Sequence, residues 1–369
     1  MALSTIGTNQ ISNEVFQANR NLIINGAMQV AQRGTSAVAA GAGTYPSIDR
    51  FKAWESTDGA FTVEQSTTAP AGFTTSFKAQ VTTADTSLAA AQYAQISQQI
   101  EAQNLQHLEY GTSGAKTLTL SFHVRSSKTG SYSITIYKND STEYLFSKSY
   151  TIDSADTWEK KTITITPDSN IKASGGAIAN DTGIGFYVFW NLAAGTNFDD
   201  ATDNTWSSNT GHYNTNSQVN WMDNTSNNFY LTGVQLEVGE TSTPFEHEDY
   251  GTTLAKCQRY FFRFQSDTAY DAFAPAYWLV TTQVYAMYEF PVTMRDQPAM
   301  TVSSFTSGDW RIHSNGGDGN LGSLIINRCT PNNVQTFSDQ SSNTGTAGYA
   351  GAIRNYGSTS PYIEFSAEL

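Results

Sequence analysis

Apolar and polar residues alternate along this chain in short runs with a period of two, the pattern of strands that bury one face. The runs KTLTLSFHVRS (116–126), GSYSITIYKN (130–139), EKKTITITP (159–167) and IGFYVFWNL (184–192) carry it most clearly, in Thr, Ile and aromatic residues that suit a pleated surface. RFKAWES (50–56), FTVEQSTT (61–68) and FKAQVTT (77–83) read the same way. NLIINGAMQV (21–30) reads as an apolar run broken by a turn or bulge at Asn25-Gly26. Turn signals at roughly 10- to 15-residue spacing complete a sandwich pattern. The stretch 91–108 fits two templates, because Tyr93, Ile96 and Ile100 share a helix face while Ile96, Gln98 and Ile100 share a strand face.

One segment reads as a seam between two modules. A strand with apolar Tyr230, Leu231, Val234, Leu236 and Val238 ends at Gly239, and a Thr-Pro-Phe-Glu turn (243–246) precedes a short helical pattern from Thr253 to Tyr260. Pro244 and Phe245 are expected to fix and bury that turn, and Arg259 to pair with Glu246 or Glu248 across the joint. Beyond it, RYFFRFQ, YWLVTTQVYAMYEF, MTVSSF, GSLIINRC and YIEFSAEL read as strands. The expected organisation is all-β: a polar attachment arm over 1–19, a β-sandwich over 20–250, and a second, smaller antiparallel β-sandwich over 251–369.

Composition narrows the function. A chain of 369 residues suits about two domains. Charged residues make up 14% of it, well under the roughly 25% usual for soluble proteins, and aromatics make up 12%, which argues against disorder. A formal net charge of −13 without a Lys/Arg cluster excludes the electrostatics of nucleic-acid binding. The two cysteines, Cys257 and Cys329, make no disulfide framework, though a bridge between them is left open. Cys257 reads as a small buried hydrophobe. The start of the sequence lacks the basic and apolar character of an export signal, and no apolar run approaches a membrane span, so synthesis in a cytoplasm without membrane insertion is expected.

No GxSxG, Walker or HExxH pattern occurs, and His107, His123, His212, His247 and His313 never fall in metal-ligand spacing, so the chain is expected not to be an enzyme. Paired carboxylates for glycoside hydrolysis depend on spatial separation, which leaves a depolymerase as an alternative. Asp199, Asp200 and Asp203 lie close together but lack the central Gly and terminal Glu of a calcium loop. The long polar stretch from Asn197 to Asn228 holds Trp206, His212, Tyr213 and Trp221, and loops of this length are usually functional or mobile. Aromatic rings among Asn, Gln, Asp and Arg suit sugar binding, because a ring offers apolar area with a polar edge. Trp206 and Tyr213 are candidates on that ground, while Trp221 reads as core. In the second module, Trp310, Arg311, His313, Asn332, Asn333, Asn355 and Tyr356 are candidates on loops rich in Gly, Ser and Asn.

NLIINGAMQVAQRG, GVQLEVGETSTPFE, CQRYF, FPVTMRDQPAM and the final YIEFSAEL together resemble a family of bacteriophage tail-fibre proteins, over about residues 20 to 300. In that family a jelly-roll domain similar to carbohydrate-binding modules precedes a C-terminal β-domain. The resemblance implies a strand running into a short helix near Gln103 to Leu108, and a homotrimeric virion protein of the tail. Such a protein would dock onto other tail or baseplate proteins through residues 1–19 and bind a host-surface glycan; a head fibre or capsid decoration protein is the rival structural role. No cofactor is implied beyond a structural calcium, for which Glu237 beside the Asn25-Gly26 turn is a weak candidate ligand.

Overall fold

The computed structural model describes residues 19–303, 309–315, 317–339, 345–357 and 361–369, without the side chains of residues 317 and 318. Residues 1–18 of the expected attachment arm lie outside the described residues. The chain forms two compact units, one ending at Thr253 and one running from Leu254 to Glu368.

The first unit is a jelly-roll β-sandwich of two antiparallel sheets. One sheet has the order Val38–Ala39, Ala60–Ser66, Ser76–Thr83, Asn228–Val238, Leu118–Ser126, Glu159–Ile165. The other has the order Thr205–Ser207, Tyr144–Ile152, Gly130–Lys138, Ile184–Ala194, Tyr93–Glu101, Lys52–Ser56, Ala42–Thr44. Alternation decides what lies between them: Leu118, Leu120, Phe122 and Val124 from one sheet meet Tyr132, Ile134, Ile136, Phe186, Val188 and Trp190 from the other, all fully buried. Trp190 sits at the centre, 6.0 Å from Phe122 with the rings perpendicular and 6.2 Å from Phe51. The stretch 91–108 resolves into the strand Tyr93–Glu101 followed by the 3-10 helix Ala102–Leu108.

The run NLIINGAMQV is not a strand. Asn25 folds it into a turn, its side-chain amide donating to the carbonyls of Val30 (2.9 Å) and Asp49 (3.0 Å) while its oxygen accepts from Val30 N (3.0 Å). Asn25 and Met28 both adopt positive φ, and a short side chain that bonds nearby backbone competes with a sheet ladder for those groups. The turn is pinned to Asn228–Val238 by Leu22 N to Leu236 O (2.8 Å) and Val234 N to Gly26 O (2.9 Å).

In the second unit the strand Tyr362–Ser366 lies between Phe261–Gln265 and Ala299–Val302. A seven-stranded antiparallel sheet has the order Gly317–Asn320, Trp310–Ser314, Ala350–Asn355, Ala272–Val280, Gln283–Glu289, Asn333–Asp339, Ile325–Cys329. Trp278, Trp310, Ile312, Ile353, Ile363 and Phe365 fill its core. YWLVTTQVYAMYEF spans the hairpin Ala272–Val280 and Gln283–Glu289. Trp310–Ser314, Asn333–Asp339 and Ala350–Asn355 are strands where the sequence reads as loops. Their inward positions include Thr336, Ser338 and Asn355, so the core side is too polar to show as alternation. Cys257 and Cys329 do not form a disulfide.

Residues after Gly239 fold back onto the first unit. Gln235 Nε2 and the N–H of Thr243 donate to Glu237 (2.9 and 2.8 Å), and Glu246 N donates to Gln235 Oε1 (2.7 Å). Pro244 is exposed, whereas Phe245 is half-buried, its ring 5.0 Å from Phe73. Phe73 also meets His123 at 5.2 Å and His247 at 5.3 Å. The Glu246 carboxylate accepts from the N–H groups of Asn19 (2.6 Å) and Asn21 (2.8 Å). Arg259 lies in the second unit, where Nη1 donates to Thr293 O (3.4 Å) and its carbonyl accepts from Arg295 N (2.7 Å).

His123 makes this aromatic cluster sensitive to acid. Its Nδ1 is buried with no hydrogen-bond partner among the described residues, and burial, aided by the charge of Lys160, holds the imidazole below its ordinary value of 6.5. A depressed pKa favours the neutral form in the fold, so the associated stability is present above the unfolded value and is lost as pH falls through the folded one. Melting curves recorded from about pH 7.5 down to about pH 5 should show declining stability, and His123→Gln should flatten that decline. An unchanged slope in the variant would remove His123 as the source.

Candidate functional site

The strand Ile184–Ala194 carries aromatic residues on both faces. Phe186, Val188 and Trp190 enter the core, so Tyr187, Phe189 and Asn191 point the other way. Register aligns Tyr137 opposite Tyr187, Thr135 and Ser97 opposite Phe189, Ser133 and Gln95 opposite Asn191, and Trp54 opposite Gln95. The outer face is therefore a grid in which rings and small polar groups occupy different squares.

The small polar groups seat the loop that follows Ala194. Thr135 Oγ1 and Ser147 Oγ donate to the carbonyl of Tyr213 (2.5 and 3.0 Å), and Asn191 Nδ2 donates to Thr135 Oγ1 (3.0 Å). Gln95 Nε2 donates in turn to Asn191 Oδ1 (2.9 Å). Thr215 N donates to Ser133 Oγ (3.2 Å), Ser131 and Ser217 share a hydrogen bond at 2.9 Å, and Gln218 Nε2 donates to Asn191 O (3.1 Å). These bonds satisfy polar groups that the loop covers.

A cleft of about 310 Å³ is lined by Trp54, Tyr93, Gln95, Tyr137, Tyr187, Phe189, Phe198 and Tyr213, of which Gln95 and Phe189 are almost fully covered. It crosses four adjacent strands, from Tyr137 to Trp54, a width of roughly 14 Å at sheet spacing. The Tyr187 and Phe189 rings are parallel within 4° with centroids 5.4 Å apart, and Tyr137 stacks with Tyr187 at 5.6 Å and 20°. Tyr213 stands edge-on to Phe189 (5.6 Å, 83°) and Phe198 stands edge-on to Tyr93 (5.2 Å, 81°), so these form the wall. Trp54 is fixed by its Nε1 donating to Ser97 Oγ (2.8 Å) and by the Lys52 ammonium 4.5 Å from its ring centroid. Gly43, at φ 85°, lies against the Trp54 ring, where an added Cβ would come within 2.7 Å.

The cleft chemistry is that of neutral hydroxyls on flat apolar rings. Burial raises the Tyr137 phenol well above its ordinary value, and a hydrogen bond to Glu143 and that carboxylate's charge act in the same direction. Burial and then Glu143 also raise Tyr187 and Tyr213. All three hydroxyls keep their protons at neutral pH and can both donate and accept.

Of the residues singled out from sequence, Tyr213 is in this cleft. Trp206 is instead a core residue, 4% exposed, with Nε1 donating to Thr166 O (3.1 Å) and its ring 5.5 Å from Phe146. Trp221 is fully buried, edge-on to Phe61. Trp310 is buried beneath the second unit's sheet against Phe273, and Asn355 is buried with Nδ2 donating to Thr268 O (2.8 Å), so neither can face a ligand. Arg311 and His313 lie on the outward face of the strand Trp310–Ser314, with the Arg311 guanidinium 3.3 Å from the Tyr356 ring centroid. Asn332 and Asn333 sit four strands away, bonded to Thr293 and Thr330. The structure therefore does not bring the second-unit candidates into one site.

The Glu237 carboxylate is filled by protein donors, Gln235 Nε2, Thr243 N and Thr243 Oγ1, with Arg20 at 3.5 Å. Asp203 is taken by Lys148 and Ser149, and Asp200 by Asn216. Among the described residues no group of three or more His, Cys, Asp or Glu could hold a metal ion. Glu237, the weak candidate for a calcium ligand, is thus engaged by protein donors.

Trp54, Tyr93, Gln95, Tyr137, Tyr187, Phe189 and Phe198 were missed in the sequence. The signal was present in IGFYVFW, where aromatics at both parities require a second covered face.

No protein-family description and no curated protein matches this chain. Among solved structures, it is similar to a family 22 carbohydrate-binding module of Clostridium thermocellum Xyn10B, with a TM-score of 0.31 and 12% identity over 62% of this chain and 100% of that one. It is also similar to a family 11 carbohydrate-binding module from Clostridium thermocellum (TM-score 0.28, 11% identity, 58% of this chain and 99% of that one). A third likeness is the enzymatically active domain of tailspike protein 4 of bacteriophage CBA120, at TM-score 0.28 and 12% identity, covering 60% of this chain but 22% of that one. These scores are low, and the properties of the cleft have to come from its own residues.

Core and cleft positions should separate in unfolding experiments. Trp206→Ala should lower stability by about 3–5 kcal/mol in urea titrations, as deletion of a buried ring does. Tyr187→Ala, at a half-buried cleft position, should lower it by less than half as much. Equal losses would show that the Tyr187 ring is a packing element.

Proposed function

We propose that the first unit binds a neutral oligosaccharide in the aromatic cleft, and that the chain serves as a phage tail-fibre subunit that adsorbs to host-surface glycan. The observation that carries the binding reading is the cleft in which the half-buried rings of Tyr137, Tyr187, Tyr213, Tyr93 and Trp54 gather. Flat apolar rings with polar edges match the faces of pyranose rings, and protonated phenols and the Gln95 amide offer bonds to their hydroxyls. Glu143 beside the tyrosines disfavours an anionic sugar at that end. A net charge of −13 fits a sugar ligand better than a nucleic acid.

The tail-fibre role rests on the sequence resemblance. In this reading the protein is carried on the virion tail as a homotrimer, and residues 1–19 dock onto tail or baseplate proteins. Several copies then turn weak single-site affinity into firm attachment. The chain binds without cleaving, and the second unit adds a further contact with the host surface.

Calorimetry of the full chain against neutral oligosaccharides should give a ligand whose affinity falls at least about tenfold in Trp54→Ala and Tyr187→Ala, equivalent to roughly 1.4 kcal/mol. Tyr349→Ala, an exposed aromatic of the second unit, should leave it unchanged. Retained affinity in both cleft variants sinks the proposal. Release of oligosaccharide from a host polysaccharide would make the protein a depolymerase. Labelled copies on the capsid shell would make it a head fibre.

A further inference from the structure

A chain of hydrogen bonds beneath the cleft fixes the polarity of the amide that lines it. It starts at the Tyr213 carbonyl, which can only accept. Thr135 Oγ1 lies 2.5 Å from that oxygen, a separation two oxygens reach only with a proton between them, so the Thr135 hydroxyl is committed as a donor. Thr135 Oγ1 is then an acceptor towards Asn191, and the atom that faces it at 3.0 Å must be the amide nitrogen, Nδ2. The same nitrogen is 3.4 Å from the Tyr213 carbonyl, where an amide oxygen would be repelled. Asn191 Oδ1 is thereby turned to Gln95, which must meet it with Nε2, at 2.9 Å. The last atom of this relay is Gln95 Oε1.

Gln95 Oε1 accepts no hydrogen bond among the described residues. Gln95 is 5% exposed and lines the cleft, and Oε1 belongs to the part that solvent reaches. An amide held at one end cannot turn over to suit a ligand, because the flip would set Gln95 Oε1 against Asn191 Oδ1 and break the relay to the loop. In register Gln95 lies between Asn191 and Trp54. Cross-strand neighbours have side-chain bases about 5 Å apart, so a sugar ring stacked on Trp54 brings its edge within reach of this oxygen. The opposite end of the cleft has the same sign, since the Glu143 carboxylate beside the Tyr137 phenol also only accepts.

We infer that Gln95 determines specificity by accepting a hydrogen bond from one hydroxyl of the sugar, and that Asn191 is the positioning residue that fixes this polarity. The ligand class that follows is a neutral sugar whose hydroxyl at that point is free. A deoxy, O-methyl or O-acetyl group there leaves a largely enclosed acceptor without a donor, and such a sugar is rejected. Sites built to bond a hydroxyl discriminate against analogues that lack it far more sharply than apolar contacts do. This inference rests on the reading of the cleft as a sugar site.

The test is calorimetry of the full chain with cellotetraose, xylotetraose, mannotetraose and β-1,4-galactotetraose, then with the mono-deoxyfluoro analogues of those that bind. Fluorine is close to a hydroxyl in size and takes away the donor. At one ring position or more it should cost the parent protein at least about tenfold in affinity. Gln95→Met, similar in length and without the amide, should bind the unmodified sugar more weakly and lose that fluorine penalty, the signature of a direct pair in a double-mutant cycle. Asn191→Ala, which frees the Gln95 amide to turn, should still bind the unmodified sugar with the penalty reduced several-fold. Trp54→Ala should weaken both sugars and keep the penalty. Loss of discrimination is read only from variants that bind, so unfolding cannot imitate it. The inference is overturned, and the cleft reading stands, if sugars bind in a Trp54-dependent way but no position carries a fluorine penalty, or if every penalty survives in Gln95→Met. A penalty unchanged in Asn191→Ala overturns the positioning role. If none of the sugars binds, the cleft reading fails and this inference falls with it.

Discussion

Phe189 and Trp190 are neighbours in one strand, and a strand must send them to opposite sides. The architecture of the first unit follows from covering both. Trp190 is covered by the facing sheet, with Phe122 and Phe51 against it. Phe189 has no third sheet to cover it. The loop after Ala194 does so in part, and it can lie on a sheet face because Thr135, Ser147, Ser133 and Asn191 there replace the water its backbone would lose. What the loop leaves uncovered is the cleft. A recess lined with rings is therefore the remainder of a covering problem, and its shape is fixed by the register that separates seats from rings.

The two units handle charge in opposite ways. In the cleft, burial and Glu143 keep three phenols protonated, so the walls offer hydroxyls and no cation except Lys52, which is engaged with the Trp54 ring. On the second unit, two guanidinium groups share one face beside two tyrosines.

The all-β class and the strands of the first unit were legible because Thr, Ile and aromatic residues alternate cleanly there. Where a core-facing position is polar, as at Thr336, Ser338 and Asn355, the alternation fades and strands read as loops. In NLIINGAMQV the break at Asn25-Gly26 was legible and is a turn, but the Asn25 side-chain bonds that make it reach Val30 and Asp49, and Asp49 is distant in sequence. The site was legible only through Tyr213. Trp206 and Trp310 have the composition of ligand-stacking residues, and only packing reveals them as core. Conversely, Tyr187 and Tyr137 sit in ordinary strands, and what makes them a surface is the alignment of separate segments. Sequence order carries no direct trace of that alignment.

The loop is held at Tyr213 by its carbonyl oxygen, which accepts from Thr135 and Ser147. Every amino acid has that carbonyl. The anchor is thus indifferent to the side chain at this position, and the wall of the recess can be exchanged by mutation while its attachment to the sheet persists. New walls at 213 can be explored without first solving a folding problem, because the carbonyl that fastens the loop and the ring that lines the cleft are different atoms of the same residue.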